Sequence, residues 1–449
     1  MSEYAPGPAP VSSRRANCVL MVLTLAFMVG MIDRVVLALL IDPIQADFGL
    51  SDTQMGLLSG LAFASFYLIM SIPVGRLADR FSRKWILLAG IILWSVMTAL
   101  CGLARNPAQL FLARMGVGVG ESALGPASYS MMADLFPRER LARAYSIFGG
   151  GALIGSGLAM AFGGWVIGLL GDGRAHMLPL IGQVRGWQLV FIIASLPGLL
   201  VALLMLAVRE PARRAAKPGD APMQSSSAVF WRFIADQWRL LLMFFLAFGC
   251  LGASIFGTLA WLPSFLTRAY QLDRATTGLL LGLAIGVASP AGAFAGGYMA
   301  DRLLIAGRLA APVIVGLTGA GGALLLFLPL AFAHSLPAAI ALVCGLFFFL
   351  SLPTAAGPAG VQMITPHGIK AQVIALYIVT TGLAGMTFGS LVIGLLTDHL
   401  FHDKAMVGWS IGLFGTGAAL IMAILFACLR RPFAARVAIV STLEGDTPC

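Results

Sequence analysis

Apolar stretches of about twenty residues alternate with short polar connections along nearly the whole chain, and each stretch is long enough for a helix to cross a bilayer. The pattern predicts twelve crossings, at residues 17–41, 53–74, 84–104, 108–131, 142–168, 187–208, 240–266, 275–299, 311–333, 336–361, 371–396 and 408–430. Backbone polar groups cannot go unpaired in hydrocarbon, so the fold class is an all-α polytopic membrane protein. The same pattern divides the chain into a tail at 1–16, six crossings in 17–208, a connection at 209–239, six more crossings in 240–430 and a tail at 431–449. Within the connection, residues 211–227 are rich in Pro, Ala, Ser and Arg and read as a flexible linker. The following AVFWRFIADQWR reads equally as an amphipathic helix in the membrane interface or as an early start to the seventh crossing.

Composition agrees: 59% of residues are hydrophobic and 11% charged. The net charge of +10 raises the question of nucleic acid, but the Lys and Arg sit in short connections rather than on one basic face, which excludes that partner. Placing the N-terminus in the cytoplasm puts 21 of the 29 Lys and Arg on that side. Six fall on the other side (Arg105, Arg174, Arg185, Arg268, Arg274, Lys404), and Arg34 and Arg114 lie within crossings. This bias sets both termini in the cytoplasm, with the first crossing retained rather than cleaved, in a cell membrane of bacterial inner-membrane type. The six cysteines show neither metal-ligand spacing nor a disulfide framework, and the five histidines fall in connections or crossing ends. No nucleophile with a base and no metal cluster is legible, so an enzyme acting on lipid is disfavoured and no cofactor is expected.

Four charged residues lie deep in crossings: Asp33, Arg34, Arg114 and Glu121, all in the first half. Each costs roughly 2.5–3.5 kcal/mol at the bilayer centre on insertion scales, so partners across a polar cavity are expected. At 1.5 Å per residue, Asp33 and Arg114 sit at comparable depth, roughly 20 Å in, and Glu121 falls about two turns further along. Burial disfavours a charged acid and an adjacent guanidinium favours it. Movement of Arg114 between Asp33 and Glu121 would therefore switch which acid holds a proton. A fixed structural ion-pair network is the alternative.

An internal repeat marks two halves. Gly75-Arg76-Leu77-Ala78-Asp79-Arg80 follows the second crossing, and Gly297-Tyr298-Met299-Ala300-Asp301-Arg302 follows the eighth, 222 residues later. Gly125-Pro126-Ala127 and Gly357-Pro358-Ala359 form a second echo. Gly151, Gly155 and Gly163, with Ala159, make a small-residue stripe on the fifth crossing suited to close helix packing.

From Gly75 to Lys84 the chain reads GRLADRFSRK, which resembles the signature loop of the major facilitator superfamily, with Ser82 in place of a glycine. The runs MIDR, LSDTQMGLLSGLAFASFY, RMGVGVGESALGPAS, ADLFPRERLARA and QMITPHGIKAQVIALY resemble its spinster-like branch more closely. The Asp-Arg pair and the fourth-crossing pattern also resemble the anion:cation symporter branch, while Ser156 stands where drug antiporters carry a proline. The resemblance implies two pseudo-symmetric six-helix bundles rocking about a central site. It implies a cytoplasmic gate at Gly75, Asp79, Arg80, Arg83, Lys84, Asp301 and Arg302. It implies a monomeric secondary transporter among membrane lipids, moving an amphiphilic lipid-like substrate (lysophospholipid or sphingoid type) or a related organic anion. The rival is a proton symporter for a small organic acid; a sensor that no longer transports shares the same cavity. The expected proton-coupling residues are Asp33, Glu121 and Arg114, and the expected head-group residues are Arg34, Arg114 and Glu121. Phe244, Phe248, Phe256 and Tyr377 are expected to line the tail pocket, and the proton is the coupling ion.

Overall fold

A computed structural model describes residues 13–170, 175–178, 182–211, 227–366 and 369–444. The first crossing is α1 (Ser13–Leu39), followed at its far end by the short helix α2 (Ile41–Phe48). The second is α3 (Asp52–Ser59) with α4 (Leu61–Arg80), and the third is α5 (Arg83–Gly102). The fourth is α6 (Pro107–Glu121) and α7 (Leu124–Leu135), the fifth α8 (Arg138–Leu170). An antiparallel hairpin of β1 (Ala175–Leu178) and β2 (Gly182–Arg185) leads into the sixth, α9 (Gly186–Ala207). The second half holds α10 (Ser227–Tyr270), α11 (Arg274–Ile305), α12 (Ala311–Ala331), α13 (Leu336–Ser351) with α14 (Ala356–Ile364), α15 (Lys370–Leu395) and α16 (Val407–Glu444). A π-helical turn, Leu396–Phe401, extends α15.

Among the described residues, eleven helices are long and apolar enough to cross a membrane. The twelfth crossing is the fourth, broken into helices of 15 and 12 residues. The crossing predicted at 108–131 is present as α6 and α7, joined by Ser122 and Ala123, which both keep right-handed helical dihedrals. The tenth crossing breaks similarly between α13 and α14, just before the Gly-Pro-Ala echo. The AVFWRFIADQWR stretch is helical and continuous with the seventh crossing, since α10 runs 44 residues without interruption. Its Phe233 is buried and lies under the Arg436 guanidinium of α16, 5.4 Å from the ring centroid. We call the face where α1 begins and α16 ends the terminal face, and the opposite one the distal face.

Glycines set how closely the halves approach. A Cβ on Gly157 of α8 would lie 2.4 Å from the Gly286 Cα of α11, and one on Gly278 of α11 would lie 2.7 Å from the Gly164 Cα of α8. The two helices therefore touch backbone to backbone, with almost no side chain between them. The stripe read from sequence faces elsewhere: Gly151 and Gly155 meet Thr24 and Met28 of α1, and Gly163 meets Val36 and Leu39.

At the distal face the halves are tied by charge. Arg268, at the end of α10, reaches Asp42 at 2.8 Å, both Asp52 oxygens at 2.9 and 3.0 Å, and Gln45 at 3.1 Å, all from the first half. Asp398 returns the contact, accepting from the backbone N–H groups of Asp52 at 3.2 Å and Thr53 at 2.6 Å. It thus caps the N-terminus of α3 from the other half, where a carboxylate also meets the positive end of the helix dipole. Ser59 and Ser390 bond at 2.6 Å one layer further in.

Candidate functional site

Beneath the Ser59–Ser390 contact lies a small cavity of about 60 Å³, lined from the first half by Arg34, Phe63 and Arg114 among others, and from the second by Phe256, Leu259, Ala260 and Met386.

Arg34 is carried by α1 and Glu121 by the last turn of α6. The Glu121 Oε2 accepts from Arg34 Nη2 at 2.5 Å and from Arg34 Nε at 2.7 Å. Gly30, one turn before Arg34, makes room: a Cβ there would lie 3.9 Å from the Glu121 carboxyl. The Arg34 guanidinium also lies 4.7 Å from the Phe63 ring centroid and 4.9 Å from that of Tyr67. Such face contacts favour a cation that has lost its water. Arg114 donates from Nη1 to the backbone carbonyl of Asp33 at 2.8 Å, and its guanidinium lies 5.5 Å from the Phe63 ring.

These contacts revise the expected network. Arg114 meets Asp33 through its carbonyl rather than its carboxylate, and the ion pair to Glu121 comes from Arg34. Asp33, Arg114 and Glu121 are all buried, and Asp33 Oδ1, Arg114 Nε and Glu121 Oε1 have no hydrogen-bond partner among the described residues. Buried polar atoms are normally paired, so the open valences on both acids and one arginine are exceptions within the described residues. Depth along a helix axis could not reveal which arginine reaches Glu121, because that depends on the direction each side chain leaves its helix.

Of the four aromatics expected around a tail, only Phe256 lines the cavity. Phe244, Phe248 and Tyr377 are instead buried in a cluster with Phe426 and Phe433, Phe244 stacking on Phe433 at 5.7 Å. They are core packing of the second half. Gly357 leaves room for that cluster, since a Cβ there would lie 2.0 Å from the Tyr377 hydroxyl. The sequence reading missed Phe63 and Tyr67, although the two stand four residues apart and so share one face of α4.

The signature loop divides in two. Arg83 is buried, ion-paired to Asp134 and to Glu210, the latter at 3.2 Å, and it donates to the Ser130 and Pro211 carbonyls, so it binds the first half to itself. Lys84 donates to the Leu206 carbonyl at 2.7 Å, also within that half. Gly75 packs beside Pro126. Asp79, Arg80, Asp301 and Arg302 are exposed on the terminal face, with Arg302 lying over the Tyr298 ring. Partial burial pushes the Glu210 carboxyl up, but hydrogen bonds from Ser82 and from the Arg83 backbone and side chain outweigh it and hold the group below the usual carboxylate range.

Residues 22–386 match the family model described as Major Facilitator Superfamily. The chain is 28% identical over 396 residues to an MFS-type efflux pump of Mycolicibacterium smegmatis, covering 87% of this chain and 86% of that protein. It is 29% identical over 348 residues to protein spinster homolog 1 of Homo sapiens, covering 72% of this chain and 62% of the human one. It superposes with a TM-score of 0.73 on the crystal structure of a bacterial homolog to the human lysosomal transporter spinster, in an inward-facing and unoccupied conformation. That pair is 24% identical and 96% of each chain is covered.

Proposed function

Because the chain belongs to the Major Facilitator Superfamily, we propose that it is a proton-linked secondary transporter that moves an amphiphilic, lipid-like anion by alternating access. The observation that carries this reading is the Arg34–Glu121 ion pair in the wall of a cavity between the halves. One side of that cavity offers the guanidinium groups of Arg34 and Arg114, and the other offers Phe256, Leu259, Ala260 and Met386. An anionic head group suits the first wall and an apolar chain the second. The Lys and Arg bias supports a cytoplasmic terminal face, in a bacterial inner membrane. With the distal face tied shut and Asp79, Arg80, Asp301 and Arg302 exposed, the conformation described is then inward-facing.

Arg34 pairs with Glu121 Oε2 when no substrate is present. A proton on Glu121 cancels its charge and frees the Arg34 guanidinium for an anionic head group. Asp33, whose carbonyl holds Arg114, is a second proton site that sets how Arg114 is presented. Protonation and substrate binding therefore favour each other through Arg34, which is the coupling a symport cycle requires.

The test is flux in proteoliposomes at two internal pH values, with fluorescent lysophospholipid in one set and small carboxylates in another. The wild type should move the lysophospholipid with a rate that depends on pH. Glu121→Gln should remove the pH dependence, and Asp33→Asn should weaken it. Retention of both flux and pH profile by Glu121→Gln would overturn the coupling. Transport of small carboxylates without lysophospholipid would overturn the substrate class.

A further inference from the structure

At the terminal face of the second half, a groove of about 680 Å³ separates the α11–α12 connection from α16. Its residues are Arg308, Arg430 and Arg431 with Gly307, Leu309, Ala310, Ile314, Ala427, Cys428 and Ala434, and no acid is among them. We propose that this groove is a binding site for an anionic phospholipid, its phosphate held by Arg308, Arg430 and Arg431 and its acyl chains lying along α12 and α16.

Three observations lead there. First, the connection is built to hold Arg308 in place. Gly307 takes φ 72, a left-handed conformation that side chains disfavour. Its N–H bonds the Leu304 carbonyl and the Arg308 N–H bonds the Leu303 carbonyl, both at 2.9 Å, while the Arg308 carbonyl receives the N–H of Ala311. Those bonds tie the connection to the end of α11 and the start of α12.

Second, the depth is right for a head group. Arg430 follows Val407, the first residue of α16, by 23 positions, or roughly 35 Å at 1.5 Å per residue. That is where a layer of about 30 Å of hydrocarbon gives way to head groups. Leu309, Ala310, Ile314, Ala427 and Ala434 are the apolar walls.

Third, the other half handles the same place differently. There Glu210, just past the sixth crossing, neutralises the buried Arg83 at the start of the third. At the matching end of the second half, Arg430 and Arg431 of α16 line the groove and no acid joins them. The acid that balances cations in the first half is not repeated there. An anion from outside the chain supplies the missing charge. Basic pockets between crossings at the cytoplasmic surface hold lipid head groups in this manner.

The test is native mass spectrometry of the detergent-purified protein titrated with phosphatidylglycerol, with phosphatidylcholine and with inorganic phosphate. The wild type should retain phosphatidylglycerol in preference to phosphatidylcholine, and equal inorganic phosphate should not displace it. Arg308→Gln, Arg430→Gln and Arg431→Gln should each weaken retention about fivefold. The three together should erase the preference, while three Arg→Lys changes should keep most of it. Equal retention of both lipids by the wild type, or a surviving preference in the combined Gln variant, would overturn the site. Displacement by inorganic phosphate would assign the groove to free phosphate and overturn the lipid. Should the combined variant not fold, the wild-type competition and the single variants decide the matter alone.

Discussion

The Arg34–Glu121 contact shows what single residues contribute and what a sequence can say of them. That four charges lie deep in the first half is legible from hydropathy alone, because no other reading of those apolar stretches removes them. Their pairing is not legible: Glu121 takes Arg34 at 2.5 Å, and Arg114 turns to a carbonyl instead. The aromatics fail for a related reason. Phe244, Phe248 and Tyr377 share a region of the second half, but only side-chain direction separates a cavity wall from a packed cluster, and here they pack. Outside the membrane, Glu210 supports a pH prediction. Its folded-state carboxyl lies below the unfolded value, so its contribution is full above the ordinary carboxylate range and is lost as pH falls through the folded value. Glu210 is partly solvated, which screens the effect. Glu210→Gln should lower the thermal midpoint at pH 7 by about 1–3 °C, and the gap from wild type should close in acid. A gap that persists at low pH would assign the effect to packing.

At the scale of elements, the crossings were readable because apolar length is a physical requirement of the bilayer, whereas breaks inside them were not. The fourth crossing is two helices, α6 and α7, joined by a turn at Ser122 and Ala123. Extra elements at the distal ends, α2 and the β1–β2 hairpin, likewise leave no hydropathy trace. The α8–α11 seam was half readable: small residues recur along α8, but which of them face α1 and which face α11 depends on helix rotation. A Cβ on Gly157 would lie 2.4 Å from Gly286 Cα and 2.7 Å from the Gly282 carbonyl oxygen. Gly157→Ala must therefore push two backbones apart, at a cost of about 1–3 kcal/mol. Gly149→Ala on the same helix meets nothing within 4 Å and serves as the control. Thermal unfolding and flux measured side by side should separate the two variants, with only Gly157→Ala losing stability and transport.

For the whole molecule, the distal network sets which state is favoured. Arg268 bridges Asp42, Asp52 and Gln45 across the halves, and Asp398 caps α3 from the opposite side. Arg268→Ala leaves Asp52 buried without its cation, so the closed distal face loses stability relative to an open one. Labelling of a Ser390→Cys reporter by an impermeant maleimide from the distal side should rise roughly tenfold or more. An unchanged rate would mean that the glycine seams alone hold that face shut. The twofold pattern of GRLADR and GYMADR anticipated the two bundles, while the polar ties between them come from connections with no repeat to betray them.

The confinement of Asp33, Arg34, Arg114 and Glu121 to one bundle has an electrical consequence. The opposite wall of the cavity, Phe256 to Ala260 with Met386, is uncharged, so it can swing past the fixed ions without carrying any of them through the field. Rocking of the empty protein is then close to voltage-silent, and whatever current accompanies turnover is the charge of the cargo and of any ion moved with it.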